Sequence, residues 1–349
     1  MLNLKLLSVV TALGLGAIAV FNLKAPAVPK PVEDNVIGLF LVKKDQINQQ
    51  YRGELYPIAQ YKNGKYLDAS VNVTLEVRED SSESAIVKRN LAKSILNQPK
   101  TFAVLDTQGK TITQFAAKKA GVGQFACESF LVGRGEVLDN TKLPSLFDQL
   151  PKARSQGMSG FINGKQVDEV WKWTISSQRP VAPARLVSVS PAQLKQYRAD
   201  LERIGTAEIN QTKEAKAFSG TAILDDFQVV DLDGDGKHEV YAKLHKGVAR
   251  GTPIQGNVDR STVRSVYANV WLSYQNDQPK LISKQVFPQF VPASNAGREY
   301  DVLQLIDTDS DGQSEVLVRN NGYEGVSFSI YKLQNNQLKP VFTGAGYGC

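Results

Sequence analysis

Cysteine and histidine are nearly absent: the 349-residue chain has two of each. A Cys/His zinc centre, a Ser-His-Asp triad or a Cys-His dyad therefore has little to be built from. Neither His238 nor His245 has a sequence neighbour that would make it a general base. No G-x-S-x-G, H-E-x-x-H or Walker sequence occurs. Gly121-Val122-Gly123 followed by Ala126 matches a dinucleotide fingerprint only loosely and has no strand–helix–strand unit around it. A strong charge imbalance is also lacking, since 41 Lys and Arg stand against 35 Asp and Glu, a net charge of +6, with both signs interspersed. Nucleic-acid-binding domains concentrate basic residues on one face or run, so nucleic acid is disfavoured as a partner. What is present, 42% apolar and 22% charged residues with 27 Gly and 15 Pro, is the composition of a folded globular chain of one large or two ordinary domains.

Long uncharged runs are scarce too, and the first is at the N-terminus. After Met1-Leu2-Asn3-Leu4-Lys5, residues Leu6 to Phe21 carry no charge, and Ala25-Pro26-Ala27 follows. The run is shorter than the roughly 20 residues of a spanning helix. A basic start, an apolar stretch and an Ala-x-Ala end are the parts of a signal peptide, so residues 1–27 are expected to be removed after Ala27. The alternative is an uncleaved anchor, which alone would bring the chain into contact with a membrane. Either reading places the bulk of the chain outside the cytoplasm, in the periplasm, secreted or at the cell surface. In that oxidising setting Cys127 and Cys349 are expected to form a disulfide.

The prolines of residues 28–35 predict a stiff linker. Residues 36–178 then show short apolar or alternating runs broken by turn dipeptides: Gly38 to Val42, Tyr56 to Tyr61, Tyr66 to Val77, Phe102 to Leu105 and Thr111 to Phe115. One helix is expected from Ser82 to Leu96, with Asp80 and Glu83 spaced as a capping box, and a shorter one near Leu143 to Leu150. A second linker is expected at 179–189. After it, Ser190-Pro191-Ala192-Gln193 predicts a helix from Pro191 to Ile204, ended by Gly205. The expected fold class is α+β, mostly β, with a second domain over 190–349.

Two stretches of that second region carry chemistry. Asp231-Leu232-Asp233-Gly234-Asp235-Gly236-Lys237-His238-Glu239 and Asp307-Thr308-Asp309-Ser310-Asp311-Gly312-Gln313-Ser314-Glu315 both read D-x-D-x-D-G-x-x-E. A tight loop of this kind turns carboxylates at positions 1, 3 and 5 inward, offers a backbone carbonyl at position 7 (Lys237 or Gln313) and closes the shell with the final acid, as a hard cation requires. Without a cation, two carboxylates about 4 Å apart repel by roughly 4 kcal/mol at an effective dielectric near 20. An EF-hand loop would carry an acid at position 12 and run into a helix, whereas here position 12 is Ala242 or Val318 and the flanking segments read as strands.

Strand, acidic loop closed at position 9, strand: in this the chain resembles the FG-GAP and VCBS-type calcium-binding β repeats. The resemblance covers the two loops and their flanking strands. It implies two calcium sites, with ligands Asp231, Asp233, Asp235, Lys237 and Glu239 in one and Asp307, Asp309, Asp311, Gln313 and Glu315 in the other, on two propeller-blade-like meanders. Only two such loops occur, against the four to eight blades of a closed propeller. The loops belong to a longer repeat, in which Trp271-Leu272-Ser273-Tyr274 matches Ile330-Tyr331-Lys332-Leu333. The first unit carries extra residues around Lys246 to Thr262, a candidate ligand loop. The function expected is an exported calcium-binding protein, a non-enzymatic binding or scaffold module for an unknown protein or carbohydrate ligand. The alternative is an exported hydrolase with a catalytic N-terminal domain.

Overall fold

The computed structural model describes residues 34–348, apart from 80–81, 126–127, 152–154, 163–164, 249–262, 291–298 and 323–324, with backbone alone at 155–169, 186, 290, 299 and 300. The expected signal peptide (1–27), most of the 28–35 linker, both cysteines of the expected bridge, Asp80 and most of the Lys246 to Thr262 insertion lie outside the described residues. The described fold is mostly β, in three antiparallel sheets, with a few helices.

The first half runs β1 (Asn35–Asp45), β2 (Tyr51–Lys62), β3 (Lys65–Asp68), α1 (Thr74–Arg78), α2 (Glu83–Asn90), β4 (Lys100–Leu105), β5 (Thr111–Phe125), β6 (Glu128–Val137), α3 (Lys142–Gln149), β7 (Ser155–Ile162) and β8 (Lys165–Ser177). β1 pairs with β2 on one side and β8 on the other, and the order β2-β6-β5-β4-β8 closes the ring. The result is a six-stranded antiparallel barrel with β3 added to β2 and β7 to β8, and closure leaves the ring no open edge. Val36, Phe40 and Val42 of β1 cluster with Leu55, Phe102 and Phe115 and with Leu143 and Leu146 of α3. Their neighbours Ile37, Leu39 and Leu41 turn the opposite way into a second cluster. β1 is therefore buried on both faces, which is why it reads as an unbroken apolar run rather than an alternating one.

Two local expectations are corrected here. Tyr66 to Val77 is not a strand: β3 stops at Asp68, and α1 begins at Thr74. The 82–96 helix ends at Asn90 and continues as 3₁₀ turns at Leu91–Lys93 and Ile95–Asn97, because Ser94 is extended and its side chain accepts from the Leu96 amide. Its N-cap is Ser82, which accepts from the Ala85 amide, while Glu83 accepts from the Val122 amide at 2.8 Å and pairs with Arg134 at 2.6 Å.

The second half runs β9 (Ala182–Pro183), β10 (Arg185–Leu186), α4 (Pro191–Asn210), β11 (Ile223–Asp231), β12 (Glu239–Gly247), β13 (Val263–Gln275), β14 (Gln278–Phe290), β15 (Glu299–Asp307), β16 (Glu315–Asn321), β17 (Gly325–Gln334) and β18 (Gln337–Gly348). The expected linker 179–189 is structured, with β9 pairing with β15 and β10 with β11. α4 starts with the expected capping box, Ser190 and Gln193 bonding each other reciprocally. It does not stop at Gly205. A Cβ at Gly205 would lie 2.8 Å from Leu244 Cδ1, so the glycine lets the helix lie close on β12. β11 to β14 and β15 to β18 form four-stranded meanders, each widened by one of the short edge strands.

Side-chain alternation shows how these layers stack. On β12, Val240, Ala242 and Leu244 face α4 together with Tyr197 and Leu201, while Tyr241 faces the second meander. On β16, Val316 and Val318 face the first meander, while Leu317 joins Tyr56, Phe130 and Ile175 of the barrel. Val240 and Val316 occupy the same place in the repeat, so corresponding faces point the same way along the stack. α4 covers one end of the two-unit array and the barrel covers the other, which gives both outward faces an apolar partner. The barrel and the second meander share a core, and Pro31–Cys349 forms one compact unit. No helix among the described residues is long and apolar enough to cross a membrane.

Candidate metal centre

Each acidic loop joins the first two strands of its meander. Positions 4 and 6 take left-handed backbone in both loops: Gly234 (φ 75°) and Gly236 (φ 82°) in the first, Ser310 (φ 63°) and Gly312 (φ 92°) in the second. The glycine at position 6 meets the conformation expected of it. The loops adjoin, since the Ser314 amide donates to the Leu232 carbonyl at 2.6 Å.

In the first loop, Asp231, Asp233 and Glu239 each place a carboxylate oxygen within 4.8 Å of the others. Asp231 is 5% and Glu239 2% exposed. Both Asp231 oxygens also brace the turn, accepting from the Gly234 amide at 2.7 Å and the Gly236 amide at 3.2 Å. Glu239 accepts from the Leu232 amide and from the Ser273 hydroxyl, each at 3.0 Å. Asp235 meets the Asp233 side chain but falls outside this trio: it is exposed, accepts from the Lys237 amide at 2.7 Å, and pairs with the exposed Lys237 ammonium. Three of the five expected positions therefore converge through their side chains. Burial pushes Glu239 up to about 7 and raises Asp233 as well. Among the described residues no basic side chain is ion-paired with Asp231, Asp233 or Glu239. Arg185 Nη1 does reach the loop, donating to the Gly234 carbonyl at 3.4 Å, but the converging hard oxygens fit a divalent cation.

The second loop is built differently. Asp307, Asp309 and Asp311 place oxygens within 4.8 Å of one another. Asp307 Oδ2 accepts from the Gly312 amide at 3.0 Å, and its Oδ1 is buried with no hydrogen-bond partner. Asp311 Oδ1 accepts from the amide of Gln313, which is half-buried, at 3.0 Å. Glu315 is fully buried, and its Oε2 accepts from both the amide and the hydroxyl of Thr308 at 2.7 Å. Into this group comes Lys332 of β17, whose Nζ lies 2.7 Å from Asp309, 2.6 Å from Asp311 and 3.0 Å from Glu315. Burial opposes the charged form of Lys332, but Glu315, Asp309 and Asp311 outweigh it and raise its pKa. Sequence reasoning matched Lys332 to Ser273 without giving it a role; a lysine in the second strand after an acidic loop was the available signal. The barrel seals this loop's inner side: Asn35 Nδ2 donates to the Thr308 carbonyl at 2.8 Å, and the Tyr66 hydroxyl meets Thr308 Oγ1 at 2.6 Å.

The histidines take hydrogen-bond partners from distant parts of the sequence. His238 is half-buried, its Nδ1 lying 2.6 Å from the Tyr197 hydroxyl of α4, and His245 Nδ1 lies 2.8 Å from Asp225. Both contacts pin β12 and its loop. In the barrel, buried Glu54 pairs with Lys43 at 2.5 Å and lies 3.7 Å from Arg134. A groove of about 720 Å³ lies beside the second meander, where Gln285, Asn320 and Ser327 stand near the Tyr331 and Tyr347 rings. Comparison with protein-family models, with curated proteins and with solved structures finds no match to this chain.

Proposed function

We propose that this chain is an exported, non-enzymatic binding or scaffold protein whose propeller-blade-like meanders are held by structural calcium. The observation that carries this reading is the first loop. Asp231, Asp233 and Glu239 converge within 4.8 Å at the ends of two paired strands, and among the described residues none of the three is ion-paired with a basic side chain. Carboxylates so placed stabilise a fold only when a cation joins them. At millimolar calcium and a dissociation constant near 0.1 mM, one such site adds roughly 1.4 kcal/mol of stability. The groove, where amides, hydroxyls and two tyrosines stand beside Phe287, Val326 and the Glu128 carboxylate, is the place a protein or carbohydrate ligand would occupy.

The test is thermal unfolding of the purified chain in excess chelator and in 1 mM calcium, on the order of ten times that dissociation constant. The midpoint is expected to rise with calcium, and the rise to vanish in Asp233→Ala. An unchanged midpoint in the native chain overturns the reading.

A further inference from the structure

The two loops share the D-x-D-x-D-G-x-x-E pattern, and the second strands after them, β13 and β17, differ at one decisive place. Glu239 stands opposite Ser273 in the ladder of β12 and β13, and its Oε1 accepts the Ser273 hydroxyl at 3.0 Å. In the second meander Val316 stands opposite Tyr331, so the next position along the ladder sets Glu315 beside Lys332. The repeat therefore offers a neutral hydroxyl in one copy and an ammonium in the other. The ammonium does not sit at the rim. Lys332 is 9% exposed, and it touches Asp309, Asp311 and Glu315, which are positions 3, 5 and 9 of the loop. Those are three of the four acidic side chains that a calcium ion in this loop would bridge, Asp307 at position 1 being the fourth. A single-charged ammonium with short contacts to three carboxylates supplies positive charge there, while Asp307 Oδ1 stays buried with no hydrogen-bond partner.

Building on the calcium reading of the first loop, we propose that Lys332 is the resident cation of the second loop, so that the chain binds one calcium ion and not two. The second loop then stays folded without metal. This suits a loop that bonds to the barrel through Asn35 and Tyr66 and so belongs to the shared core.

The test is isothermal titration of calcium into the metal-stripped full chain, alongside Asp233→Ala, Asp309→Ala and Lys332→Ser, the last of which copies the first repeat. One equivalent is expected for the native chain, none for Asp233→Ala, one for Asp309→Ala and two for Lys332→Ser. Two equivalents in the native chain, one of them lost in Asp309→Ala, would overturn the proposal and leave the calcium reading standing. One equivalent in both the native chain and Lys332→Ser would also overturn it, since removing the ammonium would then have opened nothing. No binding by the native chain, with one equivalent in Lys332→Ser, would sink the first-loop reading and uphold the role of Lys332. Should Lys332→Ser fail to fold in chelator, the native and Asp309→Ala stoichiometries still decide the matter.

Discussion

The Ser314 amide donates to the Leu232 carbonyl at 2.6 Å, which bonds the second position of one acidic loop to the eighth position of the other. Leu232 is itself fixed by the Glu239 carboxylate, which accepts its amide. An ion that draws Glu239 into its shell therefore steadies Leu232 and, through it, Ser314. Calcium is expected to slow amide hydrogen exchange at Ser314 as well as at Gly234 and Gly236. Exchange measured by mass spectrometry with and without calcium checks this. Protection confined to residues 231–239 would show that the link between the loops transmits nothing.

Burial raises Glu239 from an ordinary 4.5 to about 7 when no cation is present. Its folded value then exceeds its unfolded value, so the associated stability is complete below about pH 4.5 and is lost as the pH climbs through 7. Metal-stripped protein should unfold at a lower temperature at pH 8 than at pH 5, by an amount worth up to about 3 kcal/mol. Saturating calcium should reduce this slope by the Glu239 share, because the ion favours that carboxylate. Glu239→Gln should remove only part of it in chelator, because burial also pushes Glu315 of the second loop up to about 7. A metal-free midpoint that rises from pH 5 to pH 8 would contradict this account of the site.

How much of this could be read from the sequence depended on how local the controlling interaction was. The acidic loops were legible because spacing and glycine chemistry act within nine residues, and the α4 cap was legible because Ser190 and Gln193 bond each other directly. The end of α4 was not, because Gly205 answers to Leu244 on another element and not to the helix terminus. Barrel closure was equally hidden: it needs β1 to pair with β8, more than a hundred residues further on, and no turn signal encodes that pairing. The break at 179–189 looked like a linker for the same reason, since the partners of β9 and β10 lie far along the chain. Lys332 was visible as a residue, but its position inside the second loop required the β16–β17 register.

Phe125 and Tyr347 meet with ring centroids 5.6 Å apart. Each lies two residues from a cysteine of the expected Cys127–Cys349 bridge. Protein recovered from an oxidising compartment is expected to show no free thiol on alkylation under denaturing conditions, and a peptide linking the two cysteines on non-reducing digestion. Reduction should lower stability, by at most roughly 5 kcal/mol in the chain-entropy picture for so long a loop. Two alkylated cysteines in the unreduced protein would remove the bridge from the account.

The second meander presents Leu317, Phe328, Ile330 and Phe342 to the barrel, where Ile37, Tyr56, Phe130 and Ile175 meet them. Corresponding positions of the first meander pack onto the second, so a blade-like unit needs an apolar neighbour on each face and the barrel supplies the last one. A fragment beginning at Arg179 would leave that face in water, with its β-strands intact and its apolar residues uncovered, and exposed patches of this kind drive association. The isolated fragment is expected to be aggregated or to bind a hydrophobic dye even in calcium, whereas the full chain is not. Tyr56→Ala in the full chain removes a fully buried ring whose hydroxyl also donates to the Ala345 carbonyl at 2.9 Å. It should cost about 3–5 kcal/mol, and calcium should not rescue it, because the lost contacts lie on the barrel side and not at the loops. A monomeric, cooperatively unfolding fragment would instead show that the meanders and α4 fold without the barrel, and the shared cluster would then be a docking surface between two independent domains.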